Sequence, residues 1–220
     1  MLAAGEITGK RDGGITVFVP LDPAQIDKIH EIGSKRVTVE LGDRRYISAA
    51  QRRKAYVLLN AIARWAGYTP LEAEKALLKR AFLAQIPTMQ ADFSLSNCSM
   101  TVARQFITYL IDFIIANDIP TRVPLIDNCD DIAAYMYACT MHRKCAVCGK
   151  AADIHHCEGS RIGAGVDRDK VHQLGREVLP LCRVHHTECH TMSESEFVKK
   201  YHLQKVKLDE ALCKRLKFRR

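Results

Sequence analysis

Residues 181–190 read LCRVHHTECH and place five metal-ligating side chains in ten positions: Cys182, His185, His186, Cys189 and His190. A tetrahedral site takes four ligands, so the stretch offers more than one ion can use. Helix geometry sorts them. Successive helical residues point about 100° apart, and residues four apart nearly overlay. A helix beginning near Arg183 therefore projects His186 and His190 from one face and turns His185 back toward Cys182. A histidine pair at i, i+4 makes a two-ligand clamp. The bland alternative, two solvated helix histidines, leaves a second histidine pair at 155–156 unexplained.

Upstream, Cys145-Ala-Val-Cys148-Gly149 has the form of a zinc knuckle, two thiolates on one tight turn with a glycine that lets the backbone curl under the ion. A lone pair of this kind is also compatible with redox chemistry. Here Cys182 and His185 follow 34 residues after Cys148 and supply the remaining N/S ligands of a closed tetrahedral site, with Cys189 as an alternative to His185. In a module this small, such an ion contributes much of the folding free energy.

His155 and His156 lie in ADIHHCE, which reads as a strand. Adjacent strand residues face opposite sides, so one histidine can bind an ion while the other stays off it but close by. A divalent cation held by three histidines keeps positions for phosphate oxygens and water, as Lewis-acid hydrolysis of a phosphodiester requires. The imidazole off the metal can accept a proton from water near neutral pH.

Taken together, CAVCGK, DIHH and VLPLCRVHHTECH resemble an HNH endonuclease of the ββα-metal type, specifically the phage-encoded HNH nucleases whose helix follows LPLC. The resemblance spans residues 145 to about 203. It implies His156 as general base, His155, His186 and His190 as ligands of a catalytic divalent metal (Mg2+, Mn2+, Ni2+ or Zn2+), and Cys145, Cys148, Cys182 and His185 as a structural Zn2+ site. One position departs from the pattern. The family's middle residue, Asn or His, orients the base, and spacing from LPLC puts Glu177 in that slot. His172, five residues earlier, is the preferred alternative and is taken as the second catalytic residue. Arg161, Arg168 and Arg176 are candidate phosphate contacts, with solvated loop charge as the competing reading.

Composition supports a globular protein that meets a polyanion. The chain has 220 residues, 47% hydrophobic and 26% charged, which excludes a disordered class. The longest apolar stretch, FITYLIDFIIA, is too short to span a membrane and carries Asp112. The first residues lack a signal-peptide hydrophobic region, and nine cysteines are an odd number, so reduced thiols in the bacterial cytoplasm are expected. Of the net charge of +8, most belongs after residue 140, where 17 Lys+Arg face 10 Asp+Glu and the chain closes in CKRLKFRR, read as a basic tail. Nucleic acid is the commonest partner of such a segment.

The fold class expected is α+β: strands and helices over residues 1–140, then a small zinc-stabilised ββα-metal module over 141–220. A hairpin turns at Asp12-Gly13-Gly14, a short helix follows Asp22-Pro23, and KRVTVEL with RRYIS forms a second hairpin. Ser48 and Gln51 make a capping box for a helix that Gly67 stops. Thr69-Pro70-Leu71-Glu72 starts another, with Thr69 as cap. Further helices begin near Ser99 and run over 130–143, and Ser193 with Glu196 caps a short one. Cys98, Cys129, Cys139 and Cys213 fall in helical patterns as buried thiols. Arg44, Arg45, Arg52, Arg53 and Lys54 cluster near Trp65, Tyr56 and Tyr68, with Arg52 and Arg53 the candidate DNA contacts. This first part more faintly resembles phage recombination proteins of the lambda NinB type, which implies DNA binding with a preference for single-stranded regions.

The expected function is a metal-dependent DNA endonuclease in phage recombination or DNA processing. The rival is a non-catalytic DNA-binding recombination mediator whose zinc only folds the C-terminal module. Expected partners are single-stranded or branched DNA and a second copy of the chain, with no membrane.

Overall fold

At Asp12 and Gly13 both φ angles are positive, 35° and 81°. That pairing suits a two-residue hairpin turn, and it joins β1 (Glu6–Arg11) to β2 (Gly14–Phe18) antiparallel, with Ile7 opposite Val17. Helix α1 (Pro23–Ile32) follows with proline at its first position. Asp22 caps it, accepting from the Gln25 N–H at 2.9 Å. The computed structural model describes residues 6–32, 45–67, 69–86, 92–163 and 171–219. The chain divides into two units, Met1–Gly42 and Asp43–Arg220. The first strand of the expected second hairpin lies outside the described residues. In the segment expected to be its partner, Tyr46 forms an isolated bridge with Ser99.

The second unit is built on helices α2 (Ala49–Trp65), α3 (Leu71–Gln85), α4 (Met100–Ala116) and α5 (Ile132–Met141). Ser48 and Gln51 form the expected capping box on α2, and Gly67 (φ 88°) follows its end. Leu58, Leu59 and Ile62 of α2 are buried together with Phe106, Ile107, Leu110 and Ile114 of α4. Each such side chain stabilises by about 1.5–3 kcal/mol on full burial. This explains the dense apolar run of α4: it is a core helix. No helix among the described residues is long and apolar enough to cross a membrane. Phe82 of α3 closes the core edge-on against Phe93 and Phe106.

At α3 the capping expectation is corrected. Pro70, not Thr69, occupies the N-cap, and the Thr69 hydroxyl donates instead to Glu74 at 3.0 Å. A proline supplies no side-chain oxygen, so the Pro70 carbonyl alone opens the helix, accepting from the N–H groups of Ala73 and Glu74. Cys98 and Cys129 are likewise buried but lie outside helices, Cys98 between a turn and α4 and Cys129 just after the short 3₁₀ helix Leu125–Asn128.

Beyond α5 comes a three-stranded antiparallel sheet of order β3-β4-β5: β3 (Asp153–His156), β4 (Glu177–Leu181) and β5 (Val206–Lys207). His155 pairs with Leu179 and His156 with Val178. Pro180 lies in the central strand beyond the end of β5, so its missing N–H breaks no ladder on that side. Helix α6 (Arg183–Thr191) follows β4, then α7 (Glu194–Lys200) with the expected Ser193–Glu196 capping box. Within the stretch read as a basic tail, Cys213 lies buried in a helix as its pattern suggested: Glu210–Leu216 forms α8, which also buries Leu212 and Leu216. Helix α5 packs on α4, β4, β5 and α8, and the Tyr135 hydroxyl donates to the Ala146 carbonyl at 2.7 Å.

Candidate functional site

Cys145 and Cys148 stand on a turn that Gly149 completes at a φ of 71°, a left-handed conformation that favours glycine. Cys182 is the N-cap of α6, and His185 lies in its first turn. The four side chains converge, with their ligand atoms all within 4.8 Å of one another. Cys145 Sγ is 3.4 Å from His185 Nδ1, Cys182 Sγ is 3.2 Å from the same nitrogen, and Cys148 Sγ is 3.7 Å from Cys182 Sγ. Tetrahedral bonding at the usual Zn–S and Zn–N lengths requires separations of about 3.8 Å between sulfurs and about 3.6 Å between sulfur and nitrogen. The residues therefore fit a metal ion. Burial raises the Cys182 thiol, but hydrogen bonds from His185, Cys148 and Cys145 outweigh it and hold the thiol down at about 6, primed as a thiolate ligand. Burial pushes Cys145 the other way; a bound cation would deprotonate it.

A second convergence lies on another face of α6. His155 of β3 meets His186 edge-on at 4.7 Å between ring centroids and His190 at 5.0 Å, while His186 and His190 stack at 5.0 Å. One nitrogen from each falls within 4.8 Å of the others, so these three could hold a metal ion. Helical spacing thus puts His185 on one cluster and His186 with His190 on the other. Burial, reinforced by the neighbouring His186 and His190, pushes His155 down to about 4. The neutral imidazole is the form that binds metal. Cys189 is buried with its sulfur 3.9 Å from His155 Nε2, facing this second cluster rather than the first.

His156 faces away from the three histidines. Its Nε2 is 2.7 Å from Gln173 Oε1, and its ring lies 6.3 Å from that of Phe218. With the amide oxygen toward the ring, Nε2 donates its proton to Gln173, which puts the basic lone pair on Nδ1. Gln173 is fully buried. It had no signal in the sequence, being a lone amide in a polar loop beyond the reach of spacing arguments. The two residues expected to serve the base are placed differently. His172 is exposed, and its carbonyl accepts from Arg176 Nε at 2.8 Å. Glu177 acts through its backbone: its carbonyl accepts from the Cys157 N–H and its N–H donates to Ser160 Oγ, both at 2.9 Å, pinning the turn that follows His156.

The candidate phosphate contacts differ in how far they are engaged. Arg161 is exposed and paired with Glu158 at 3.3 Å. Arg176 donates to the carbonyls of His172 and Ser160. Arg168 lies outside the described residues. Arg52 donates to the carbonyls of Leu95 and Ser96, at 2.9 and 2.7 Å, whereas Arg53 is exposed on α2. Lys54 of the same cluster is bound to Asp130 at 2.6 Å.

A strand histidine opposite two helix histidines, beside a Cys3His cluster, makes a double candidate metal centre on a ββα unit. The chain belongs to a nuclease family: the sequence model of the family described as "Putative HNHc nuclease" matches residues 18–219. No curated protein and no solved structure matches it.

Proposed function

We propose that the chain is a metal-dependent DNA endonuclease that hydrolyses phosphodiester bonds at the His155–His186–His190 cluster. The observation that carries this reading is the split at the end of β3: His155 turns into a three-imidazole cluster, and His156 turns away from it toward Gln173. His155, His186 and His190 would hold a divalent cation, which would supply Lewis-acid polarisation of the phosphodiester and stabilise the leaving oxygen. His156 accepts the proton of the attacking water at Nδ1 and passes it on after cleavage. Gln173 holds the ring in that tautomer by accepting from Nε2–H. Cys145, Cys148, Cys182 and His185 hold a structural zinc that fixes the N-terminus of α6. Arg161, Arg168 and Arg176 contact phosphates near the cut; His172 and Glu177 flank the base without taking the proton.

The wider assignment rests on sequence resemblance. Residues 1–140 guide the nuclease module of residues 141–220 to DNA, with single-stranded or branched DNA as substrate, in phage or prophage recombination inside the bacterial cytoplasm. A rival reading, a non-catalytic recombination mediator, draws on Glu177 in the slot where the family carries Asn or His. A nicking assay with Mg2+, Mn2+ or Ni2+ separates the two. Wild type cuts, and His156→Ala lowers kcat by about 10²- to 10⁴-fold while keeping its zinc and fold. Equal cutting by the two proteins sinks the mechanism.

A further inference from the structure

Helix α8 ends in a left-handed residue, Lys217 at a φ of 60°. The Lys217 N–H donates to the Lys214 carbonyl at 3.3 Å, and the Phe218 N–H to the Cys213 carbonyl at 2.8 Å. This pair of bonds turns the chain sharply back on itself at a helix end. The reversal brings Phe218 to His156 and Arg219 to Gln173. The Phe218 ring lies 6.3 Å from the His156 ring at 40° between planes. The Arg219 carbonyl accepts from the Gln173 N–H at 2.9 Å. Arg143 secures the reversal from behind, donating to the Leu216 carbonyl at 3.3 Å and lying over the Phe218 ring at 6.0 Å.

From these contacts we infer that Phe218 and Arg219 form a brace for the general base, acting through Gln173. The inference rests on the nuclease reading of His156. Gln173 touches the base by its side chain and the brace by its backbone, so it transmits position from one to the other. A buried amide held at both ends fixes where Oε1 sits, and therefore which way the Nδ1 lone pair points. Phe218 closes one flank of the imidazole and restricts its rotation. The last residues of the basic stretch thus have a task that charge does not describe. Gln173 and Phe218 are positioning residues; His156 remains the group that takes the proton. The family match, which runs to residue 219, includes this segment.

The test uses the full chain with zinc bound and fluorescent single-stranded, branched and duplex oligonucleotides cut in the presence of Mn2+. Phe218→Ala and Gln173→Ala each lower kcat by about 10- to 100-fold, the cost of a misaligned reacting group, with KM and zinc content unchanged. Phe218→Tyr restores most of the rate. Neither substitution lowers the rate further in a His156→Ala background, because residues acting through one group are not additive. Ring 1H–15N spectra report the same contact without catalysis: Phe218→Ala and Gln173→Ala move the His156 signals and leave those of His185 in place. A Phe218→Ala protein that cuts like wild type overturns the brace, as does a loss that multiplies with that of His156→Ala. Failure of wild type to cut refutes the nuclease reading. In that case the ring signals alone decide the contact: shifts confined to His156 support it, and unmoved signals overturn it.

Discussion

Glu194 Oε2 lies 3.6 Å from His155 Nε2, and both side chains are buried. Burial raises this carboxyl, but a 2.5 Å ion pair with Lys205 and a 2.8 Å bond from the Glu158 N–H outweigh it and keep it below the usual carboxylate range. A fixed negative charge thus stands beside a candidate metal ligand. Partners of this kind orient the ligating imidazole and raise its basicity.

Replacing that charge weakens the ion's hold. Glu194→Gln lowers Mn2+ affinity by about 10- to 100-fold and leaves the zinc at Cys145, Cys148, Cys182 and His185 in place. Calorimetric titration of the zinc-loaded protein with Mn2+ measures this. Unchanged affinity contradicts a supporting role for Glu194.

The Cys3His cluster is expected to be a folding element. Cys148→Ser lowers bound zinc and destabilises the fold around the cluster, since apparent binding energies of structural zinc reach about 10–16 kcal/mol. Metal analysis of purified protein, followed by thermal unfolding with and without chelator, checks it. Purified protein free of zinc and indifferent to chelator argues against the assignment.

Acid should weaken the fold through His155. The unfolded chain takes up this proton near pH 6.5, whereas burial delays it in the folded chain to about 4. The contribution is therefore complete above pH 6.5 and is lost as the pH falls from 6.5 toward 4, by on the order of 3 kcal/mol. Urea unfolding without added divalent cation shows the decline in wild type, and His155→Gln removes that part of the slope. Parallel pH profiles for the two proteins rule the effect out.

The two arginines at the start of α2 should separate. Arg52→Ala costs roughly 1 kcal/mol of stability, because it removes bonds to the carbonyls of Leu95 and Ser96. Arg53→Ala leaves stability unchanged and reduces the salt dependence of DNA binding by about one counterion. Thermal melts and binding at several salt concentrations distinguish them. A stable Arg52→Ala protein with a weakened DNA slope would reverse the assignment.

Much of the ββα unit was legible because periodicity acts locally. The helical offset of one residue between His185 and His186 separates two clusters, and the strand offset between His155 and His156 separates the imidazole that joins the histidine cluster from the one that meets Gln173. Caps at Ser48 and Ser193, and the start of α4 near Ser99, were readable for the same reason. Gln173 was not, since its meeting with His156 depends on a return of the chain from Arg219, 46 positions later. The helical pattern around Cys213 was legible, but the charge of Lys214 and Arg215 drew attention from the buried stripe of Leu212, Cys213 and Leu216 that docks the helix. Thr69 was misassigned because its hydroxyl prefers the Glu74 carboxylate to a helix N–H.

Helix α6 is only nine residues long, yet it carries ligands for both clusters. An ion gripping Cys182 and His185 fixes the rotation of the helix about its own axis. That rotation sets whether His186 and His190 face His155 or miss it. On the proposed function, the two clusters would therefore fill in order: the three histidines would be brought into register only once an ion had seated at the Cys3His cluster.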